Sequence, residues 1–174
     1  MEKLEYNGKI YKRQGQKWSD MDGCIVHEIL QRELNAKYIE TIDLNSLTIQ
    51  EVIEQGDKFK NSSSLGYALR FYEYAANQAD ENELAYILPR MTSCYRKQGH
   101  PQKAIDILSF AKNKYGAKMI SPVLLTSAAA AYCDLEEYGN AKKCCDRAYA
   151  SMGGKSSGEL AAVYARIKKE SGER

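Results

Sequence analysis

The amino-acid sequence predicts a mainly α-helical fold, an α-solenoid of antiparallel helix pairs with a small N-terminal β-meander. Three observations lead to this prediction: turn-forming glycines separate short strand-like runs near the N-terminus, helix-length segments follow between breakers, and small residues recur about every 36 residues. We expect residues 1–47 to form the meander and a helix that caps the array. Residues 48–174 would form three helix pairs and a C-terminal capping helix.

Two glycine-containing turns define the predicted meander. Asn7 and Gly8 readily adopt the positive φ angles of a type I′ hairpin turn, and Gln14-Gly15 supplies a second turn. The predicted strands cover residues 3–6, 9–13 and 16–18. A sheet this small is not stable by itself in water, so we expect it to pack on a helix within residues 24–40. The apolar residues of that helix at near-helical spacing are Ile25, Ile29, Leu30 and Leu34.

Helical segments begin at about residue 48. Thr48 followed by Glu51 is a capping box, which predicts a helix start at residue 49. Further helices are predicted over residues 65–79, 83–98 and 102–115, on either side of residues 136–138, and over residues 157–172. Pro89 lies inside one of these segments. Because proline removes a backbone donor, we expect a kink there or a helix that starts near Leu88.

A repeat becomes visible when the chain is aligned on Ala68, Ala104 and Ala141, which lie 36 and 37 residues apart. Seven residues after each stands another alanine, and nine residues before each stands an aromatic residue. These are Ala75, Ala111 and Ala148, and Phe59, Tyr95 and Tyr132. The pattern resembles the tetratricopeptide repeat (TPR), a 34-residue helix-turn-helix motif with W-x2-L-G-x2-Y followed by A-x3-F and a later proline.

The resemblance covers residues 49–155 as three degenerate units. No unit has the tryptophan or the final proline of the pattern, and Gln55 replaces the leucine in the first unit. In the third unit Cys145 stands at the phenylalanine place, where a thiol would act as a small hydrophobe between helices. We therefore expect Cys145→Ser to destabilise the fold and Cys144→Ser to cost much less. No metal or other cofactor is expected, since only His27 and His100 could join the cysteines and both lie in other segments.

Composition narrows the classes of function. The 25 Lys and Arg residues nearly balance the 23 Asp and Glu residues, and a net charge of +2 does not favour nucleic acid or an anionic membrane as a partner. The chain has no membrane-length apolar stretch, no signal-peptide core and no disulfide-scaffold spacing, so we expect a cytoplasmic protein, either a monomer or a weak homodimer. Cys24 and His27 lack a third member for nucleophilic catalysis, and no enzyme is expected.

The TPR resemblance implies a protein-interaction module, an adaptor or scaffold that binds a peptide segment of a partner. In that family the first helix of each pair lines the groove. The positions that match here are Ile53, Asp57, Tyr86, Arg90, Ser93, Arg96, Lys97, Thr126 and Ser127. No residue identifies the partner. The Lys/Asn/Arg set that holds chaperone C-termini in some family members is missing, so such tails are disfavoured.

An alternative is that the meander binds single-stranded nucleic acid. Its cations Lys9, Lys12, Arg13 and Lys17 alternate with the aromatic residues Tyr6, Tyr11 and Trp18. Cations could contact phosphates while rings stack on bases. The competing interpretation is that the rings pack on the first helix and the lysines keep the sheet edges soluble, and the sequence favours this second interpretation.

Overall fold

The computed structural model describes residues 2–15, 17–62, 64–116 and 120–172. The chain divides into two compact units, unit 1 (Met1–Phe71) and unit 2 (Tyr72–Arg174). The predicted division between residues 47 and 48, which separates a cap from the repeats, stays a prediction. None of the helices in the described residues is both long and apolar enough to cross a membrane.

Unit 1 begins with the predicted meander. Strands β1 (Glu2–Tyr6), β2 (Lys9–Gln14) and β3 (Lys17–Ser19) form an antiparallel sheet in that order. Asn7 and Gly8 both have positive φ, as the first turn requires. The predicted position Gln16 lies outside the described residues. The sheet therefore forms where the two turn signals place it.

In the described residues up to Gln78, four helical elements follow the sheet. They are helix α1 (Glu28–Glu40), a short 3-10 helix (Leu44–Ser46), helix α2 (Ile49–Asn61) and helix α3 (Leu65–Gln78), which begins in unit 1 and ends in unit 2. The Thr48–Glu51 capping box is present at the start of α2, as predicted.

Helix α1 begins later than residue 24, where the predicted segment starts. The Asp20 carboxylate accepts hydrogen bonds from the backbone N–H groups of Asp22 and Cys24, at 3.0 and 2.8 Å, and holds this stretch in a loop. Ile25 in this loop and Ile29 in the first turn of α1 are both exposed, so the expectation that they support the sheet is wrong. The sheet packs on Leu34 and Leu30 instead.

Trp18 is the centre of the unit 1 core and is fully buried beside Leu4, Tyr11 and Leu34. Its indole N–H donates to the side-chain oxygen of Asn35 at 2.8 Å. The side-chain amide of Gln31 accepts from the Trp18 backbone N–H at 2.8 Å and donates to the Trp18 carbonyl at 2.7 Å. Gln31 thus pairs with the outer edge of β3 as a neighbouring strand would.

Arg13 is buried in the same core, although the sequence pattern placed it with the surface cations. Its guanidinium carbon lies 4.6 Å from the ring centroid of Phe59 and 5.2 Å from that of Tyr38. One guanidinium nitrogen pairs with Glu2 at 3.4 Å, while Nε and Nη2 have no hydrogen-bond partner among the described residues. Aromatic faces therefore replace part of the hydration that this cation loses on burial.

The described residues of unit 2 form five further helices. They are α4 (Glu81–Lys97), α5 (Pro101–Tyr115), α6 (Pro122–Asp134), α7 (Tyr138–Ser151) and α8 (Gly158–Glu170). Helices adjacent in sequence pack as antiparallel pairs, and α6 also packs against both α4 and α8. Fully buried alanines occupy many of the crossings, among them Ala104, Ala111, Ala128, Ala129, Ala131, Ala141 and Ala148.

Pro89 lies in the interior of α4, so the expected helix start near Leu88 is wrong, while the alternative expectation of a kink stays a prediction. Asp80 and Glu83 form a capping box that begins the helix at Glu81. Pro89 has no N–H group, so the carbonyl of Ala85 lacks the usual donor one turn later. The helix continues through this position to Lys97.

Cys144 and Cys145 are both buried, with 8% and 0% of their surfaces exposed. The expected large contrast between them is therefore wrong, because both side chains pack within the cluster that joins α6, α7 and α8. Burial raises the pKa of the Cys145 thiol to about 12, and it also raises the pKa of Cys144. Both thiols are uncharged at neutral pH and act as apolar packing groups.

We expect Cys144→Ser and Cys145→Ser each to lower the free energy of unfolding by roughly 1 to 3 kcal/mol, because each buries a hydroxyl in an apolar site. In each variant the new serine hydroxyl can donate a hydrogen bond to the backbone carbonyl four residues earlier, as Thr92 does to Leu88. This bond limits the loss of stability. Urea denaturation measures the effect, with the exposed Cys24→Ser as control. A control as costly as Cys145→Ser would contradict the packing role.

We expect Arg13→Ala to destabilise the protein by about 3 kcal/mol, because it removes a buried side chain from three rings and leaves Glu2 with one cation fewer. Thermal and urea denaturation measure the loss. The control is Lys9→Ala, an exposed cation on the same strand, which should change stability by about 0.5 kcal/mol or less. Equal stabilities of the two variants would refute the structural role of Arg13.

Candidate functional site

The nine residues predicted to line the groove divide between the two units. Ile53 and Asp57 lie on α2 in unit 1, while the other seven lie on α4 and α6 in unit 2. Two of the nine, Ile53 and Thr126, are buried and do not line an open groove in this structure. Ile53 belongs to the apolar stripe of α2, and the hydroxyl of Thr126 donates to the Pro122 carbonyl at 2.8 Å. Neither side chain is available to a ligand in this structure.

A cleft of about 550 Å³ lies between the first half of α4 and the start of α6. It is lined by Glu81, Asn82, Ala85, Tyr86, Pro89, Arg90, Ser121 and Val123. Tyr86 and Val123 are large apolar residues with 68% and 54% of their surfaces exposed. Apolar side chains as exposed as these, on two sides of one cleft, mark it as a candidate contact surface.

The positions of Tyr86 and Arg90 follow from helix geometry. Residues four apart lie on the same face of a helix, so both side chains point from α4 towards the cleft. Arg90 donates from Nη1 to the Tyr86 carbonyl at 2.9 Å and is half-buried. Its planar guanidinium carries five N–H donors, which makes it a strong group for binding carboxylates.

The start of α6 adds positive potential on the opposite wall. Ser121 caps the helix by accepting from the Leu124 N–H at 3.2 Å, and Pro122 occupies the first helical turn. Backbone N–H groups at a helix N-terminus carry partial positive charge. Glu81, in the first turn of α4, is the acidic residue of this cleft. The cleft therefore has a positive side at Arg90 and α6 and a negative corner at Glu81.

Arg96 is engaged within the protein and is not an open groove residue. Its Nε donates to Oδ2 of Asp134 at 2.8 Å, and Arg166 donates to the other oxygen of the same carboxylate. Arg166 also pairs with Glu170 at 2.9 Å. This network, the Asp134 clamp, joins the ends of α4 and α6 to α8.

The clamp shifts the pKa values of its members. Burial by itself raises the pKa of Asp134, but hydrogen bonds and charge from Arg96 and Arg166 outweigh it, so the pKa lies below the usual 3.8. The two carboxylates beside Arg166 raise the pKa of its guanidinium. Asp134 is therefore charged at neutral pH.

The remaining predicted groove residues lie along α4 and α6. Ser93 and Ser127 are half-buried, and Lys97 is exposed at the end of α4. Sequence reasoning missed Asp134 and Arg166, since neither belongs to the repeat pattern. The sequence does show an acidic residue at the end of α6 and an arginine on α8. Because these two residues are 32 positions apart, the sequence gives no indication that they pair.

The nucleic-acid alternative requires exposed rings in the meander. Tyr11 and Trp18 are buried in the unit 1 core, as is Arg13. The Tyr6 hydroxyl donates to Glu33 at 3.2 Å. Lys9 and Lys17 are exposed, but Tyr11 and Trp18 are buried and cannot stack on bases next to these lysines. The packing of the rings on α1 thus agrees with the structural interpretation of this segment.

The described residues contain no group of three or more His, Cys, Asp or Glu side chains placed to hold a metal ion. Cys24 is exposed, and the other four cysteines are buried free thiols.

Comparisons with known proteins show the fold. No family model matches the chain, and no curated protein matches it. Among solved structures, the chain is similar to the Sgt2 TPR domain from Aspergillus fumigatus, with a TM-score of 0.63 and 17% identity over 72% of this chain and 80% of that one. It is also similar to a chain of the Sec complex from S. cerevisiae, with a TM-score of 0.52 and 16% identity. That match covers 94% of this chain and 97% of the other chain. The predicted TPR-like helical repeat is thereby confirmed as the fold.

We expect Asp134→Asn to lower the free energy of unfolding by about 1 kcal/mol at pH 7, since it removes the charge that pairs with two arginines. The folded-state pKa of Asp134 is depressed, so this stabilisation is complete above the ordinary value of 3.8 and is lost as the pH falls through the folded-state pKa. The difference between variant and wild type should therefore shrink in acid.

Thermal denaturation across pH measures this effect. The control is Asp106→Asn, an exposed aspartate whose side chain accepts from the neutral Gln102 amide at 3.1 Å. A constant difference between Asp134→Asn and wild type at all pH values would exclude an ionic role for the clamp.

Proposed function

We propose that the chain is a protein-interaction module whose cleft between α4 and α6 binds a segment of a partner protein. The observation that carries the proposal is the pair of exposed apolar residues, Tyr86 and Val123, beside the Arg90 guanidinium in a cleft of about 550 Å³. The TPR-like fold supports this use, since stacked helix pairs present extended binding surfaces.

The chemistry of the cleft favours an acidic residue next to an apolar anchor in the bound segment. A tyrosine offers a large, stiff contact surface at small entropic cost, and Val123 provides a second apolar wall. Arg90 and the N-terminus of α6 favour a carboxylate. Glu81 repels an acidic residue at its end of the cleft. The acidic residue of the bound segment should therefore lie near Arg90 rather than near Glu81.

The proposed surface extends along the first helices of the pairs. Ser93, Lys97 and Ser127 provide polar groups further along α4 and α6, where a longer segment would continue. Arg96 contributes through the Asp134 clamp, which fixes the end of α4. Asp57, on α2 in unit 1, stays a prediction by itself. We propose that this adaptor acts by binding alone, without catalysis.

The combined substitutions Tyr86→Ala and Arg90→Glu should abolish recovery of the partner, because they remove the apolar anchor site and reverse the charge beside it. The experiment is affinity capture with the intact chain as bait, identification of the captured protein, and calorimetric titration of a peptide from it. Thermal denaturation checks that the variant is folded.

The matched control is Lys9→Glu with Lys17→Glu, two exposed lysines of the meander. This control replaces cations without touching the buried Arg13, and it should leave capture unchanged. If the control loses the partner while the cleft variant keeps it, and the partner is RNA or DNA, the meander is the binding site and the proposal is wrong.

A further inference from the structure

A second groove in unit 2 lies between α3 and α5, with α4 as its floor, and has a volume of about 620 Å³. We infer that this groove binds a protein segment in which a lysine or arginine neighbours an apolar side chain. The inference rests on residues other than those of the α4–α6 cleft, so it stands independently of the function proposed above.

The floor and one wall of the groove are apolar. Leu84, Leu88 and Met91 of α4 form the floor, and Ile107 and Phe110 of α5 form the wall. Phe110 is 47% exposed. Its ring packs against Tyr115 with centroids 6.0 Å apart, and the Lys114 ammonium lies 5.3 Å from its centroid. The exposed aromatic ring is thus held in place by neighbours and is ready to contact an apolar side chain.

Two carboxylates line the groove, Glu73 on α3 and Asp106 on α5. Glu73 accepts from the Tyr95 hydroxyl at 2.8 Å, and Asp106 accepts from the Gln102 amide at 3.1 Å. Both donors are neutral groups, so these bonds orient the carboxylates without cancelling their charge. Lys103 lies over the Tyr95 ring at 5.3 Å and is not part of the groove lining.

This charge arrangement selects the occupant. Two carboxylates repel phosphate groups and acidic segments, whereas they attract a lysine or arginine that enters the groove. The apolar floor and Phe110 supply apolar area that the bound segment can bury. This area is needed because an exposed ion pair contributes little binding free energy by itself. Lys114, at the far end of the groove from Asp106 along α5, discourages a second basic residue there.

The two binding surfaces use different faces of α4. Leu84, Leu88 and Met91 are spaced by four and three residues and face the α3–α5 groove. Tyr86, Pro89 and Arg90 face the α4–α6 cleft. The two surfaces therefore differ in both position and charge preference, and variants of one leave the other intact.

The test uses short synthetic peptides with one central leucine or phenylalanine, flanked by lysine, glutamine or glutamate, titrated against the intact chain by fluorescence anisotropy. We expect lysine-flanked peptides to bind about threefold to fivefold more tightly than glutamine-flanked ones, the range for one or two exposed ion pairs. Glutamate-flanked peptides should bind more weakly than either, unless they occupy the α4–α6 cleft, which Tyr86→Ala with Arg90→Glu removes.

Two groove variants locate the binding. Asp106→Lys should abolish the preference for lysine-flanked peptides, and Phe110→Ala should weaken all of them at this site by about fivefold or more. The matched controls are Asn113→Lys, exposed on α5 outside the groove, and Tyr149→Ala, an aromatic residue of similar exposure on α7. Both controls should bind as wild type, and thermal denaturation confirms that each variant folds.

Three results would overturn the inference. Lysine-flanked peptides could show no preference in the wild type, or their binding could survive both Asp106→Lys and Phe110→Ala. Alternatively, sedimentation could show a dimer that Phe110→Ala dissociates, in which case a second copy of the chain is the occupant. Loss of lysine-flanked binding in the groove variants alone supports the inference, even if the α4–α6 cleft proves to bind nothing.

Discussion

The close approach of helices at buried alanines is the constraint on which the structure of unit 2 depends. The alanines of α5, α6 and α7 at these crossings have no exposed surface, and a larger side chain there would force the helices apart. Because protein interiors are tightly packed, the helix spacing then fixes the width of every surface groove between them. Tyr86 lines the cleft on one face of α4, and Phe110 lines the groove on another face of the same helix.

The elements that could be predicted from sequence are those with a local or periodic physical cause. Asn7-Gly8 specifies its turn by backbone preference, Thr48 and Glu51 cap a helix by reciprocal bonds, and the alanine period follows from repeated crossings. The errors arose where one local signal outweighed another. At Pro89, the capping box at Asp80 starts α4 eight residues before the proline, and a proline inside a helix costs less than the packing of that helix provides.

The candidate site was predictable only in part. The spacing of Tyr86 and Arg90 places both on one face of α4, but sequence cannot say which face of a helix is covered by a neighbour. Ile53 and Thr126 are buried for that reason, and Arg96 is paired with a carboxylate 38 residues away. Arg13 in unit 1 was misplaced for the same reason. A basic residue among aromatic ones suggests an exposed binding surface, but in the structure Glu2 and the rings of Trp18, Tyr38 and Phe59 surround its guanidinium. Ion pairs between residues far apart in the chain produce no repeated spacing, so a single sequence does not reveal them.

Helix α4 forms one wall of the α4–α6 cleft and the floor of the α3–α5 groove, so its rigidity decides whether the two surfaces are coupled. Its N-terminus is fixed by the Asp80–Glu83 capping box and its C-terminus by the Asp134 clamp. Coupling between two sites requires an element with two arrangements that both ligands bias. Because α4 is anchored at both ends, we expect occupancy of one proposed surface to leave the affinity of the other unchanged. Release of the clamp would remove the C-terminal anchor and is the change by which the two surfaces could come to influence each other.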